Sequence, residues 1–211
     1  MPDFDTGIGV ILLAAGRSKR FGSNKLMIDF RGKELWEWSA RAIEAAGFES
    51  RYLIVRSDSP IPTREGWNRI ENPMAERGMG SSISVGIEAA KHHDRVVIAL
   101  ADMPFLETSH LRLLASGTGQ IFTRYTDDGV GCPAAFDRES FDKLARLEGD
   151  HGAKVLHDPD SRTISPTSSQ TLFDIDTEHD LAAMEEVSCR YIDANSGAAI
   201  PGIVAPPCNY K

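Results

Sequence analysis

Uninterrupted apolar runs alternate along the chain with segments whose apolar residues recur every three or four positions. The runs "IGVILLAA" (Ile8–Ala15), "SRYLIVR" (50–56) and "DRVVIALADMPF" (94–105) predict strands that are buried on both faces of a parallel sheet. Shorter strands are predicted near Ile70, at 120–125 and 129–136 around the turn "TDDG", and at 162–167.

The segments between these runs predict helices. Residues 32–47 carry apolar positions at helical spacing, and Gly47 is placed to end the helix. Ser81 and Ser82 are expected to cap the next helix, and Thr108 or Ser109 the one after it. Further helices are expected at 138–149 and 150–158, and a short strand at 172–176 leads into a helix at Thr177, where Thr177 and Asp180 form a capping pattern.

This alternation of strands and helices predicts parallel βαβ units. The expected fold class is α/β, a three-layer α/β/α sandwich around a mostly parallel, Rossmann-like sheet. Residues 1–187 are expected to form a single domain, and residues 188–211, rich in Gly, Pro and small side chains, an irregular extension.

Composition narrows the class of protein. The 211 residues are 41% hydrophobic and 26% charged, and the net charge of −8 argues against nonspecific nucleic-acid binding. No apolar run approaches the length of a membrane span, and the acidic N-terminus does not resemble a targeting peptide. Three scattered cysteines, Cys132, Cys189 and Cys208, favour reduced thiols, so a cytoplasmic location is expected.

The stretch after the first strand, "LAAGRSKRFGSNK" (13–25), is basic in an otherwise acidic chain. Ligands of open α/β sheets bind at the carboxyl ends of strands. Small residues there (Ala14, Ala15, Gly16) allow a flat base to approach the backbone, and the following cations suit a triphosphate. Neither the Walker loop nor the dinucleotide fingerprint G-x-G-x-x-G is present, which excludes those two kinds of nucleotide site.

This stretch resembles the L-A-A-G-x-S-x-R-x-G-x-x-K signature of the nucleotidyltransferases that attach a nucleotide to molybdopterin. Five further segments resemble that family in the same order: "GMGSSISVG" (78–86), "LADMPF" (100–105), "GCPAAFDR" (131–138), "GDHGAKVL" (149–156) and "DIDTEHDL" (174–181). The resemblance covers about residues 8 to 187. The Ala-Ala-Gly form of the first block is similar to the cytidylyl branch.

The resemblance implies transfer of CMP from MgCTP to the terminal phosphate of molybdopterin, or of its metal-loaded form, with release of pyrophosphate. Lys25 would stabilise the α-phosphate, and Arg20, with Arg17 or Lys19, would hold the leaving pyrophosphate. The implied nucleotide-binding residues are Leu13, Ala14, Ala15, Gly16, Arg17, Gly80, Ser81 and Ser82.

Carboxylates suggest a Mg²⁺ site, and Asp102 is also a catalytic candidate. Asp102 ends a buried strand and points into the cleft that the first loop lines, where a hard cation prefers carboxylates, water and phosphate oxygens. Asp174 and Asp176 lie two residues apart on a predicted short strand, and only one of them is expected to reach the cleft directly. The family pattern implies Asp176 as the second metal-side residue; the alternative is that Asp176 caps the helix.

The resemblance also implies acceptor-binding roles for Gly131, Pro133 and Asp150. The family often has His where Cys132 stands, and a thiol cannot replace the hydrogen bonds of an imidazole. Two alternatives stay open: a guanylyl- or other nucleotidyltransferase with a different phosphorylated acceptor, and a chaperone that delivers the finished cofactor to a molybdoenzyme.

Overall fold

The computed structural model describes residues 7–17, 21, 24–125 and 129–186. Within these residues the strands are β1 (Ile8–Ala14), β2 (Asp29–Phe30), β3 (Lys33–Glu34), β4 (Ser50–Arg56), β5 (Asn68–Asn72), β6 (Arg95–Leu100), β7 (Ile121–Arg124), β8 (Val130–Asp137) and β9 (Arg162–Ile164). The helices are α1 (Leu35–Ala46), α2 (Met79–Ala90), α3 (Thr108–Ser116), α4 (Phe141–Leu144) and α5 (Glu178–Glu186).

Seven strands form one sheet in the order β5-β4-β1-β6-β8-β7-β9. Every neighbouring pair is parallel except the two that involve β8, which runs against both β6 and β7. The sheet is therefore mostly parallel. The carboxyl ends of the other six strands and the beginning of β8 meet at one edge, which we call the ligand edge.

Two apolar layers cover the sheet, one on each face. Along β1, Val10 and Leu12 belong to the cluster beneath α1 and α3, whereas Ile11 and Leu13 belong to the cluster beneath α2 and α4. Because successive strand residues point to opposite faces, a strand covered on both sides needs apolar residues at every position. This confirms the predicted three-layer α/β/α sandwich and explains the uninterrupted apolar run.

Several local predictions are confirmed. Gly47 ends α1 with φ 90°, a left-handed conformation that costs glycine little. Thr177 and Asp180 bond reciprocally at the start of α5: the Asp180 carboxylate accepts from the Thr177 backbone N–H at 2.8 Å, and Thr177 Oγ1 accepts from the Asp180 N–H at 3.1 Å. The short strands near Ile70 and at Arg162–Ile164 are present as β5 and β9.

Other local predictions are wrong. Helix α2 begins at Met79, so Ser81 and Ser82 lie inside its first turn and do not occupy the cap position. Helix α3 begins at Thr108, after Glu107, which makes no side-chain cap. The segment at 150–158 forms only a 3-10 turn, Ala153–Leu156. In the segment at 138–149, a 3-10 turn is followed by the four-residue helix α4, which is much shorter than the predicted helix.

No helix in the described part of the chain combines the length and apolar character that a membrane span requires. The predicted extension at 188–211 lies outside the described residues, as do Cys189 and Cys208.

Candidate active site

Lys25 is the centre of a charged cluster at the ligand edge. It begins a 3-10 turn, Lys25–Met27, that is capped by the side chain of Asn24, and it is only 7% exposed. Its ammonium Nζ lies 2.8 Å from Asp102 Oδ2 and 2.6 Å from Asp176 Oδ1. Burial lowers the pKa of Lys25, but the charges and hydrogen bonds of the two carboxylates raise it by more, so the pKa lies above its ordinary value. The ammonium is therefore charged at neutral pH.

Asp102 follows β6 by two residues. The backbone N–H of Ala101 donates to the carbonyl of Leu13 at 3.0 Å, which ties the turn before Asp102 to the end of β1. Oδ2 of Asp102 pairs with Lys25, while Oδ1 is buried and has no hydrogen-bond partner among the described residues. A buried carboxylate oxygen without a donor is costly unless a ligand satisfies it.

Of the two aspartates at 174 and 176, Asp176 contacts Lys25 directly, and Asp174 lies within electrostatic reach of Asp102, Asp176 and Lys25. Residues 173–176 are irregular and form no strand. Between the two aspartates, Ile175 is fully buried and its N–H donates to the carbonyl of Asp102 at 3.1 Å. Partial loss of hydration and the nearby charge of Asp102 raise the pKa of Asp174. The residue as a whole is nevertheless exposed to solvent. Asp176 does not cap α5, because Thr177 does.

This arrangement fits a divalent cation. Asp102 Oδ2 and Asp176 Oδ1 already share one positive charge, and Asp102 Oδ1 has no donor. The described residues contain no group of three or more His, Cys, Asp or Glu side chains placed to hold a metal. Two carboxylates nevertheless suit Mg²⁺, which completes its coordination with water and substrate phosphates.

The predicted nucleotide loop lies at the same edge. Ala14 and Ala15 are 4% and 6% exposed, while Gly16 and Arg17 are exposed. A Cβ added to Gly16 would meet no atom within 4 Å, so the backbone there is open to a ligand. Lys19 and Arg20, the other predicted phosphate ligands, lie outside the described residues.

A cleft of about 440 Å³ opens beside this loop, at the ends of β1, β4 and β5. Its volume falls within the range of small-molecule sites. Arg56 donates to Asp58 through Nε at 2.9 Å and through Nη2 at 2.7 Å, which fixes one wall. The lining residues are Arg17, Arg56, Ser57, Asp58, Asn72, Pro73, Ala75 and Glu76.

The start of α2 forms another part of this region. The side-chain amide of Asn72 donates to Ser81 Oγ and Ser82 Oγ, each at 3.0 Å, and Ser82 is buried. Gly80 packs so closely that an added Cβ would lie 2.7 Å from the backbone N of Glu148. Gly80 and Ser82 therefore position the α2 start, while Ser81 also donates to Gly78 O at 2.8 Å.

The three residues that were predicted to bind the acceptor lie in two different parts of the structure. Gly131 and Pro133 lie on β8: an added Cβ on Gly131 would meet the Tyr125 ring at 2.8 Å, and the Pro133 carbonyl accepts from Thr123 Oγ1. Asp150 instead lies against Gly78 at the start of α2. Between Gly131 and Pro133, Cys132 is buried, and burial raises the pKa of its thiol to about 12, so this cysteine stays neutral.

The sequence analysis did not single out Asn72 and Asp58, which line the larger cleft, or Tyr125, which packs on Gly131. Asn72 and Tyr125 share a signal, because each is a polar residue at or just after the carboxyl end of a strand. The end of a strand can be located from the sequence only where an apolar run marks the strand. In β5 ("NRIEN") only Ile70 is apolar, so its carboxyl end could not be located.

Known proteins share this fold. The purine catabolism protein PucB of Bacillus subtilis is 29% identical over 160 residues, which cover 69% of this chain and 78% of PucB. The crystal structure of Rv0371c from Mycobacterium tuberculosis superposes with a TM-score of 0.72 at 28% identity, covering 85% of this chain and 97% of Rv0371c. A second structure of that protein is a complex with manganese, with 25% identity and a TM-score of 0.69.

A nucleotidyl transferase from Methanothermobacter thermautotrophicus shows the same fold, with a TM-score of 0.74 at 18% identity, covering 86% of this chain and 97% of that protein. Residues 10–164 match the MobA-like NTP transferase domain. This match spans most of the sheet and both the β1 loop and Asp102. The chain is therefore a nucleotidyltransferase and belongs to the family of MobA-like NTP transferase domains.

Proposed function

We propose that the protein transfers CMP from CTP to the terminal phosphate of molybdopterin, or of its metal-loaded form, and releases pyrophosphate. The observation that carries the proposal is the position of Lys25 between Asp102 and Asp176 at the ligand edge, beside the open backbone of Gly16. The choice of acceptor and base rests on the six sequence blocks that resemble the molybdopterin enzymes and on the Ala-Ala-Gly form of the first.

The reaction requires one bond to form and one to break. An oxygen of the acceptor phosphate attacks the α-phosphorus of the nucleotide, and the bond from that phosphorus to the oxygen bridging to the β-phosphorus breaks. The acceptor phosphate is already anionic, so no side chain has to remove a proton. Catalysis then depends on alignment of the two substrates and on relief of charge repulsion between them.

Lys25 supplies a permanent positive charge for this purpose. In the reaction, the ammonium leaves the carboxylates of Asp102 and Asp176 and contacts the α-phosphate. It stabilises the negative charge that develops on the oxygens of that phosphate. Arg20, with Arg17 or Lys19, holds the leaving pyrophosphate by charge-assisted hydrogen bonds. The nucleotide lies along the cleft of about 440 Å³, with its base near Ala14–Gly16 and the start of α2 at Gly80, Ser81 and Ser82.

Asp102 and Asp176 are the residues that would hold Mg²⁺. The manganese found in Rv0371c supports a divalent cation in this fold. Bound Mg²⁺ would neutralise charge on the phosphate oxygens. A cation held there would also satisfy Oδ1 of Asp102, which has no hydrogen-bond partner among the described residues, and Lys25 would be available to the nucleotide.

The proposal is tested by incubating the protein with Mg²⁺ and molybdopterin, and with CTP, GTP, ATP or UTP in separate reactions. Pyrophosphate release and the mass of the product are measured. We expect a cytosine dinucleotide, with CTP preferred. A guanine product would overturn the choice of base. Tight binding of the finished dinucleotide without pyrophosphate release would instead favour a delivery protein that hands the cofactor to a molybdoenzyme.

A further inference from the structure

A second, smaller cleft of about 200 Å³ lies at the ligand edge, on the far side of β8 from the nucleotide loop. One wall consists of Arg124 and Tyr125, at the end of β7. The other wall is the segment that follows β9, through Ser165, Pro166, Ser169 and Leu172. Because β7 and β9 are parallel neighbours, with Thr123 opposite Ile164, both walls leave the sheet at the same edge.

The aromatic wall of this cleft, Tyr125, packs against β8. Its hydroxyl donates to the carbonyl of Cys132 at 2.7 Å, and its ring packs on Gly131. Burial is the main cause of the raised pKa of Tyr125, and electrostatic interactions with Cys132, Asp174 and Asp102 add to it. Tyr125 is therefore within electrostatic reach of Asp102, a candidate metal-binding carboxylate.

The second wall is held firmly in place. The carboxylate of Glu107, only 6% exposed, accepts from the backbone N–H of Thr167 at 3.0 Å and of Ser168 at 2.6 Å. It also accepts from Thr171 Oγ1 at 3.0 Å. Such charge-assisted bonds to a buried carboxylate fix a loop that has little regular structure. The cleft is thus preformed before any ligand binds.

The chemistry of the walls selects a class of ligand. Arg124 offers an exposed guanidinium, Tyr125 an aromatic face, Ser165 and Ser169 hydroxyls, and Pro166 and Leu172 apolar surface. A flat heterocycle stacks on a tyrosine or a guanidinium, and its polar edge bonds to hydroxyls. Arg124 already donates through Nη2 to Thr163 Oγ1, and a purely aliphatic ligand would offer no acceptor to the rest of the guanidinium or to the two hydroxyls.

We propose that this cleft binds the heterocyclic end of the acceptor, with Arg124 and Tyr125 as its specificity-determining residues. The inference rests on the proposed function, since it assigns a site to the same acceptor. The phosphate end of that acceptor then extends past Tyr125 toward the charged cluster, where Lys25 supplies the positive charge. The nucleotide and the acceptor approach the cluster from opposite sides, as an in-line displacement requires.

The test uses Arg124→Gln and Tyr125→Leu, with Arg162→Gln as the matched control. Arg162 is an exposed arginine at the other end of the neighbouring strand β9. We expect the KM for the acceptor to rise by about tenfold or more in both variants, as loss of a charged or stacking contact predicts. The KM for CTP should change by less than about twofold, and Arg162→Gln should change neither constant. Equal acceptor KM values in wild type and Arg124→Gln would overturn the assignment.

A binding measurement separates this inference from the proposed function. Neopterin monophosphate, a stable phosphorylated pterin, is titrated into the protein without nucleotide, and quenching of the pterin fluorescence is followed. We expect saturable binding that Arg124→Gln weakens and Arg162→Gln does not. Binding with this pattern supports the cleft even if molybdopterin yields no pyrophosphate. Absence of binding, or equal binding by Arg124→Gln, overturns it even if the enzyme is active. Arg124 is exposed, so its variant is expected to fold, which thermal unfolding checks.

Discussion

The ammonium of Lys25 lies 2.8 Å from Oδ2 of Asp102, and this contact joins the first loop of the chain to the end of β6. The same ammonium contacts Asp176, and the Ile175 N–H bonds to the Asp102 carbonyl. Three segments that are distant in sequence thus hold one another at the ligand edge. The charged cluster is therefore already assembled in the absence of substrate.

Replacing Lys25 with Met keeps the length of the side chain and removes its charge. We expect kcat to fall by about 10²–10³-fold, the usual cost of losing one preorganised group that stabilises transition-state charge. The measurement is initial pyrophosphate release under saturating substrates. Lys91→Met, on an exposed lysine at the end of α2, is the control and should retain full activity. Near-normal turnover of Lys25→Met would contradict the role assigned to Lys25.

Asp102→Asn keeps the shape of the side chain and removes its negative charge. We expect the Mg²⁺ concentration for half-maximal activity to rise by about tenfold or more, as loss of a metal-site carboxylate predicts. A titration with Mn²⁺, followed by electron paramagnetic resonance, measures the cation affinity directly. Asp142→Asn, an exposed carboxylate on α4, should bind Mn²⁺ like the wild type. Unchanged Mn²⁺ affinity in Asp102→Asn would exclude Asp102 from the metal site.

Gly16→Ala and Gly80→Ala form an informative pair. An added Cβ at Gly16 meets open space, so we expect normal stability but a raised KM for CTP, because the methyl group occupies ligand space. At Gly80 the Cβ would lie 2.7 Å from the Glu148 backbone, and we expect a loss of about 1–3 kcal/mol in the free energy of unfolding. Denaturant titration and steady-state kinetics separate the two effects. A normal KM for CTP in Gly16→Ala would show that the nucleotide does not approach this backbone.

Glu107→Gln tests the support of the smaller cleft, where we propose that the acceptor binds. A glutamine offers one acceptor oxygen where the carboxylate offers two, and its amide would face backbone N–H donors. We expect the free energy of unfolding to fall by about 1–3 kcal/mol, the cost of unsatisfied buried groups. Hydrogen exchange of residues 165–172 should accelerate more than that of β1. Glu139→Gln, at an exposed glutamate, is the control. Unchanged exchange in residues 165–172 would show that Glu107 does not restrain this segment.

His110 predicts a specific pH dependence of stability. Its Nε2 lies 2.7 Å from Thr123 Oγ1, whose only proton goes to the Pro133 carbonyl, so His110 is the donor. Nδ1 is buried and has no partner among the described residues, and burial lowers the pKa of His110 to about 4. A proton added at Nδ1 would find no acceptor.

The unfolded chain therefore binds the extra proton between pH 6.5 and about 4, while the folded chain does not. Stability from neutral His110 is complete above pH 6.5 and is lost as the pH falls through this window, by about 3 kcal/mol in total. Urea titrations at several pH values should show a shallower decline for His110→Gln than for wild type. His151→Gln, at an exposed histidine, should keep the wild-type slope. Equal slopes for His110→Gln and wild type would contradict this assignment.

The layers of the fold and the place of the predicted nucleotide loop could be inferred from the amino-acid pattern alone. Continuous apolar runs in β1, β4 and β6 require cover on both faces, and a loop at the end of such a strand must lie at the ligand edge. The charge of Lys25 and the position of Asp102 at that edge followed from the same local pattern, and so did the Thr177–Asp180 cap.

Which polar groups meet depends on contacts between segments distant in sequence. The pairing of Lys25 with Asp176 and the smaller cleft at the ends of β7 and β9 arise only in the assembled sheet. Residues 172–176 show the reason. They carry the pattern of a short strand, but Ile175 is fully buried, its N–H donates to the carbonyl of Asp102, and the segment forms no strand. Contacts between segments distant in sequence override a local period, because burial and hydrogen bonding are satisfied only in the assembled fold.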